Sequence, residues 1–260
     1  MKTQNPSMVR QIIPAYPKEQ RTISRDEPFM NVAEFFRQTV QGEGVNIGVP
    51  SAFLRLQNCT LNCMWCDTEE VWRQGNPYTF TELFDLIEKS GLLDDLKSRH
   101  HLILTGGSPL KQQEALFSFL EIFGMRYGFM PYVEIENECT LMPGGIENYI
   151  QCWNNSPKLE NSGNPRQLRY QPAVLRELSS YRNSWFKFVV EGHEDEWKEI
   201  EKDFLNPGYI KHDQVILMPM GGEINELENN RVRVAEMAIR KGVRFTDRLH
   251  VTLWNTLTGV

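Results

Sequence analysis

A chain of 260 residues, 40% hydrophobic and 24% charged, has the apolar content for one large core and reads as a single soluble globular domain. Its formal net charge of −6 excludes broad binding to a phosphate backbone, which needs clustered Lys and Arg, and leaves a small molecule as the default ligand. No apolar run reaches the length of a membrane span, and the opening stretch MKTQNPSMVRQIIPAYPKEQ lacks the apolar core of a signal peptide, so a cytoplasmic protein with neither nucleic acid nor membrane as partner is expected.

Residues 1–28 carry Pro6, Pro14, Pro17 and Pro28 with little apolar periodicity, and read as an extended arm ahead of a folded domain at 29–260. FMNVAEFFRQTV then leads into Gln41-Gly42-Glu43-Gly44. Two glycines beside a carboxylate permit a plain turn or a close backbone approach to a ligand, and spacing alone favours the turn. SAFLRLQ, residues 51–57, alternates as a strand and runs straight into CTLNCMWCDT, residues 59–68.

Cys59, Cys63 and Cys66 lie too close in sequence for a disulfide framework, and their sulfurs meet only if the backbone loops around a common centre. Three thiolates suit three irons of a [4Fe–4S] cube and leave the fourth iron open for chemistry. A zinc site is the weaker alternative, because neither a fourth cysteine nor a histidine lies nearby to complete a tetrahedron. Cys139 and Cys152 read as small buried apolar residues.

Beyond this loop, TFTELFDLIEKSG pairs Thr79 with Glu82 as a capping box, carries Leu83, Phe84 and Ile87 at helical spacing and stops at Gly91, which predicts a helix. HLILTGG (101–107) is a short buried strand ending in glycines, followed by a helix with Pro109 near its start. PYVEIENE (131–138) alternates as a strand with Glu134 and Glu136 on one side. The polar stretch 154–169 reads as an irregular loop. SWFKFVVEG is a strand, EDEWKEIEKDFL a short helix, QVILMPMGG a strand, 223–240 a helix, and RLHVTLW (248–254) a last strand. Strands alternating with helices imply a partial, open (β/α) barrel of about six mainly parallel strands.

C-x-x-x-C-x-x-C followed by a strand ending in T-G-G resembles the radical S-adenosylmethionine (SAM) superfamily. VQGEG (40–44), FLRLQNC (53–59), WCDT (65–68), LTGG (104–107), VEIENE (133–138), SPK (156–158), KFVVEG (187–192), MPMG (218–221) and RLHVTLW (248–254) resemble one family within it, 7-carboxy-7-deazaguanine synthase, in that family's order. The resemblance covers residues 30–260. It implies a lyase that converts 6-carboxy-5,6,7,8-tetrahydropterin to 7-carboxy-7-deazaguanine with loss of ammonia in 7-deazapurine (queuosine-type) biosynthesis. The implied cofactors are a [4Fe–4S] cluster, SAM and Mg²⁺, with hydrogen abstraction by a 5′-deoxyadenosyl radical rather than by a protein residue. An electron donor such as flavodoxin and a homodimer are implied as partners.

Carried onto this sequence, the resemblance makes Cys59, Cys63 and Cys66 cluster ligands and Thr68 a magnesium ligand. It sets Trp65, Gly107, Ser108, Ser156, Pro157, Lys158, Met218, Pro219, Met220 and Gly221 against SAM. Val40, Gln41, Gly42, Glu43, Arg55, Thr105, His250 and Val260 fall to the substrate, Arg55 because a guanidinium offers a carboxylate two parallel hydrogen bonds. One departure matters. The superfamily pattern G-G-E-P, whose Glu accepts a hydrogen bond from the SAM amino group, is here G-G-S-P, with uncharged Ser108 in the acidic position; MPMG likewise replaces Q-P-M. Two rivals remain at this stage: a glycyl-radical activase of the same superfamily, and a non-catalytic iron–sulfur or zinc binding protein, which Ser108 favours.

Overall fold

Strands buried on both faces have no polar side to alternate, and the runs at 52–54, 102–104 and 215–218 are accordingly apolar throughout. The computed structural model describes residues 10–15, 19–24 and 26–260. In chain order it contains β1 (Gln11–Ile13), β2 (Phe29–Val40), β3 (Pro50–Leu56), α1 (Glu69–Trp72), β4 (Asn76–Thr79), α2 (Phe80–Ser90), α3 (Leu92–Lys97), β5 (His101–Gly106), α4 (Gln113–Tyr127), β6 (Tyr132–Asn137), β7 (Cys152–Asn155), α5 (Arg166–Arg169), α6 (Pro172–Ser180), β8 (Ser184–Val190), α7 (Glu194–Ile200), β9 (Val215–Pro219), α8 (Ile224–Lys241), β10 (Arg244–Phe245) and α9 (Leu249–Trp254).

All ten strands join one sheet in the order β1-β2-β3-β5-β6-β7-β8-β9-β10, with β4 added to β2. From β3 to β10 every neighbouring pair is parallel, while β1, β3 and β4 lie antiparallel to β2. Among the described residues the two edges do not pair with each other, so this is an open, partial barrel. Its parallel strands end along one rim, at Leu56, Gly106, Asn137, Asn155, Val190 and Pro219, and the loops leaving those ends carry the chemistry-bearing residues, as is usual for α/β folds. Helices cover the outside: Leu83, Phe84 and Ile87 of α2 and Phe119 of α4 are buried, the Phe84 and Phe119 rings stacking at 5.0 Å. No helix among the described residues is long and apolar enough to cross a membrane.

The capping box forms as the sequence predicts. Thr79 Oγ1 accepts from Glu82 N at 3.2 Å, Glu82 Oε2 accepts from Thr79 N at 3.0 Å, and Gly91 closes α2 at φ +80°. Of the N-terminal arm, residues 1–9, 16–18 and 25 lie outside the described residues. Gln11–Ile13 extends the sheet as β1, and Asn76 Nδ2 donates to Glu19 O at 2.8 Å, so the described part of the arm packs on the body.

Two segments differ from expectation. RLHVTLW is not a strand: Leu249–Trp254 forms α9. Leu249, Val251 and Leu253 do alternate, but Val251 is buried while Leu253 is 53% exposed, and the Leu249 amide donates to Gly42 O at 2.8 Å. With β10 already seated on β9, the chain leaves the sheet to cross the rim, and seven residues are too few for a period to decide between strand and helix. Conversely, the supposed irregular loop begins with strand residues. Asn154 and Asn155 end β7, and the buried amide of Asn155 is satisfied by neighbours: Asn137 Nδ2 donates to Asn155 Oδ1 at 2.5 Å and Asn155 Nδ2 to Ser184 Oγ at 2.8 Å. Leaving aside two-residue β10, six parallel strands result, with β7 gained and 248–254 lost. Helix α6, with Pro172 at its start, was not foreseen either.

Replacing the α2 cap, Thr79→Ala, is expected to cost about 1 kcal/mol, seen as a lower urea midpoint at unchanged m-value.

Candidate active site

At the C-terminal rim of the parallel strands lies a cavity of about 290 Å³ whose wall includes Cys59, Cys63 and Cys66. The cysteine loop is fastened from the far side of the sheet: Asn62 N donates to Asn164 Oδ1 at 2.9 Å and Met64 N to Ser162 O at 3.0 Å. At its root, Gly107 admits no side chain, since a Cβ there would stand 2.4 Å from Asn58 O and 2.6 Å from Cys59 Cβ. Each sulfur accepts an N–H: Cys59 from Leu61 N at 3.4 Å, Cys63 from Asn164 Nδ2 at 3.3 Å and Cys66 from Trp72 Nε1 at 3.4 Å. Such bonds stabilise thiolates and tune clusters. Three N–H-bonded cysteine sulfurs lining one cavity are the donor set that an iron–sulfur cluster would take. Burial pushes the Cys59 thiol up to about 11, so metal loading must expel its proton. Cys139 and Cys152 are buried elsewhere.

The floor is polar and densely paired. Gln41, fully buried, donates from Nε2 to Glu134 Oε1 at 2.7 Å and to Glu136 Oε1 at 3.1 Å, and Thr105 Oγ1 donates to Glu136 Oε2 at 2.8 Å. Arg55 Nε donates to Glu34 Oε1 at 2.7 Å. Lys187 pairs with Glu43, and Arg248 with Asp67. Burial raises the Glu43 carboxyl, but Lys187, Arg248 and His250 outweigh it and hold the group below its ordinary range; Asp67 is lowered in the same way, chiefly by Arg248 against its burial. Glu136 moves the other way, raised by burial, and His250 is lowered by burial, which favours neutral imidazole.

Helix α9 and residues 255–260 form the remaining wall. Gly42 meets His250 so closely that a Cβ would lie 2.1 Å from its Nδ1. Thr68 lines the cavity at the N-terminal end of α1, makes no side-chain cap bond and stands 3.9 Å from Cys66 Sγ. Lys158 Nζ donates to Ser156 Oγ at 2.7 Å and sits 5.4 Å from the centre of the Trp65 ring.

Of the residues the sequence singles out, the cavity gathers the three cysteines, Thr68, Trp65, Gly107, Ser156, Lys158, Met218, Val40, Gln41, Gly42, Glu43, Arg55, Thr105, His250 and Val260. Met220 and Gly221 line an adjoining hollow that shares Trp65 and Cys66. Ser108, Pro157 and Pro219 line neither. Ser108 is fully buried, and its hydroxyl donates to Glu138. Glu34, Asp67, Glu136, Glu138, Lys187 and Arg248 also line the cavity without having been singled out as its residues. For Glu34 and Lys187 the sequence signal is a charge inside an apolar strand run, NVAEFF and SWFKFVV, because Glu and Lys are seldom buried without a partner; Asp67 and Arg248 lie outside the strands and carry no such signal.

Because the folded Glu43 is depressed, its stabilisation is complete above its ordinary value of 4.5 and is lost as pH falls below it. Glu43→Gln is expected to lower stability near neutrality yet flatten the acid limb of a plot of urea midpoint against pH.

Comparison with known proteins agrees with this geometry. Residues 40–131 match the family model described as a 4Fe-4S single cluster domain. A protein of Pyrobaculum aerophilum named 7-carboxy-7-deazaguanine synthase is 31% identical over 89% of this chain and 98% of its own length. Proteins of the same name from Halobacterium salinarum, 29% identical over 88% and 92%, and Rhodopirellula baltica, 31% identical over 84% and 84%, are also similar. The crystal structure of QueE from Escherichia coli shares the fold, with a TM-score of 0.62 at 22% identity, over 85% of this chain and 95% of that one. With its cysteine loop, its parallel-strand rim and this likeness along nearly the whole chain, the protein belongs to the 7-carboxy-7-deazaguanine synthase family.

Proposed function

We propose that this protein is a radical SAM lyase that converts 6-carboxy-5,6,7,8-tetrahydropterin to 7-carboxy-7-deazaguanine with loss of ammonia, in 7-deazapurine biosynthesis. The observation that carries the reading is that three N–H-bonded cysteine sulfurs and a buried acid–amide floor face one cavity. Cys59, Cys63 and Cys66 would hold the cluster, and the cluster with SAM supplies one-electron radical chemistry when bound. The chain's own residues bind, orient and shield. Gln41, Glu43 and Glu136 present acceptors suited to the N–H groups of a pterin, and Thr105 orients Glu136. Arg55 commits its Nε–H to Glu34 and keeps its other guanidinium N–H groups for the substrate carboxylate. His250, Val260 and the rest of that wall restrict access of water. Trp65, Gly107, Ser156, Lys158 and Met218 form the side available to SAM.

Thr68 is the proposed magnesium ligand: a hydroxyl oxygen is a hard donor, and this one lines the cavity uncommitted to its helix cap. An external donor such as flavodoxin and a homodimer complete the proposal, on the family's pattern. Membership of the family displaces the glycyl-radical activase as a reading.

The test is anaerobic reconstitution followed by incubation with dithionite, SAM, Mg²⁺ and the carboxytetrahydropterin, with mass spectrometry of the products. The deazaguanine is expected; SAM cleavage without it would reject the substrate, and uptake of zinc with no visible absorbance would reject the cluster. Thr68→Ala is expected to raise the Mg²⁺ concentration needed for half-maximal turnover while leaving cluster absorbance intact. An unchanged Mg²⁺ dependence would remove the metal from Thr68.

A further inference from the structure

Glu138 leaves the end of β6 and lies 4% exposed in the cavity wall. Its two oxygens are treated unequally. Oε1 accepts from Ser108 Oγ at 2.7 Å, Thr60 Oγ1 at 2.7 Å and Thr140 Oγ1 at 2.5 Å, whereas Oε2 is buried with no hydrogen-bond partner among the described residues. No Lys, Arg or His among the described residues forms an ion pair with it either, so its partners among them are three hydroxyls, all on one oxygen. A buried carboxylate without a cation is costly. Glu138 lines the same cavity as Cys59 and Cys63, the sulfurs that would carry the cluster.

Ser108 occupies the position where the superfamily pattern has its glutamate. Strands β5 and β6 are parallel neighbours, with Leu104 opposite Ile135, so the residues just past their ends, Ser108 and Glu138, meet across one strand spacing. The short serine leaves room for the longer side chain from the next strand and hydrogen-bonds it in place. We propose that Glu138, through Oε2, is the acceptor for the ammonium group of SAM in this protein, with Ser108 as a positioning residue: the carboxylate is kept and its strand of origin has changed. The inference rests on the reading that the cavity binds SAM. It also removes the feature that favoured a non-catalytic protein, since G-G-S-P no longer means that the negative charge is lost.

The test is equilibrium binding to anaerobically reconstituted full-length protein, with iron content and visible absorbance measured for each variant. SAM is compared with 5′-methylthioadenosine, which keeps the nucleoside and its sulfur but lacks the α-amino and carboxylate groups of the methionine part. A charge-assisted hydrogen bond lost from a buried site corresponds to about tenfold or more in affinity. Glu138→Gln is therefore expected to weaken SAM at least about tenfold and methylthioadenosine less than about twofold. Ser108→Ala should weaken SAM less than Glu138→Gln does, because Thr60 and Thr140 still hold Oε1. The exchange variant Ser108→Glu with Glu138→Ser should recover most of the affinity, and supplies the test if the single variant loads its cluster poorly. Equal loss of both ligands in Glu138→Gln, unchanged SAM binding, or an exchange variant no better than Glu138→Gln would overturn the role of Glu138. A wild-type protein that loads its cluster and fails to bind SAM would instead overturn the parent reading, and this one with it.

Discussion

A carboxylate taken out of water must find a partner, and that requirement shapes the rim of this sheet more than any other. Glu34, Glu134, Glu136 and Glu138 sit on strands or at strand ends where both faces are covered, all nearly or partly buried. Each draws in a residue from a distant part of the chain: Arg55 for Glu34, Asn46 and Gln41 for Glu134, Thr105 for Glu136, Ser108 for Glu138. Together these bonds tie the Gln41–Gly44 turn, β3, β5 and β6 into one rigid floor. These bonds hold a dense set of polar groups, costly in an ordinary core, in fixed positions, so the floor is ordered before anything binds.

Two further constraints set the shape of the cavity. The cysteine loop approaches the end of β5 so closely that only glycine fits at 107, and the roof approaches the Gln41 turn so closely that only glycine fits at 42. One contact positions the sulfurs and the other positions His250. Ion pairs between Arg248 and Asp67 and between Lys187 and Glu43 then join α9's approach to the cysteine loop and β8 to the turn, linking segments far apart in sequence through groups whose mutual attraction offsets their desolvation.

Local patterns were legible wherever local forces decide. The α2 cap, the apolar runs of β3, β5 and β9 and the Cys59–Cys66 spacing each state their conformation within a few residues, and each is found. The Leu249–Trp254 segment was misread because its apolar alternation spans too few residues to decide between strand and helix, and what decides is that the sheet edge is already occupied. Cys152–Asn155 was missed because polar Asn reads as loop, whereas here the flanking strands supply its hydrogen bonds.

By itself the sequence determined that the chain is an α/β domain, that three cysteines form one loop at a strand end, and that its motifs follow the order of a single family. These features depend on neighbours along the chain. Which charges face which was decided only by the tertiary structure: Lys187 against Glu43, Arg248 against Asp67, and Ser108 bonded to Glu138 rather than exposed in the cavity. Those pairings join residues 30 to 181 positions apart, and no periodicity or spacing records a contact that exists only once the parallel strands have brought their ends to one rim.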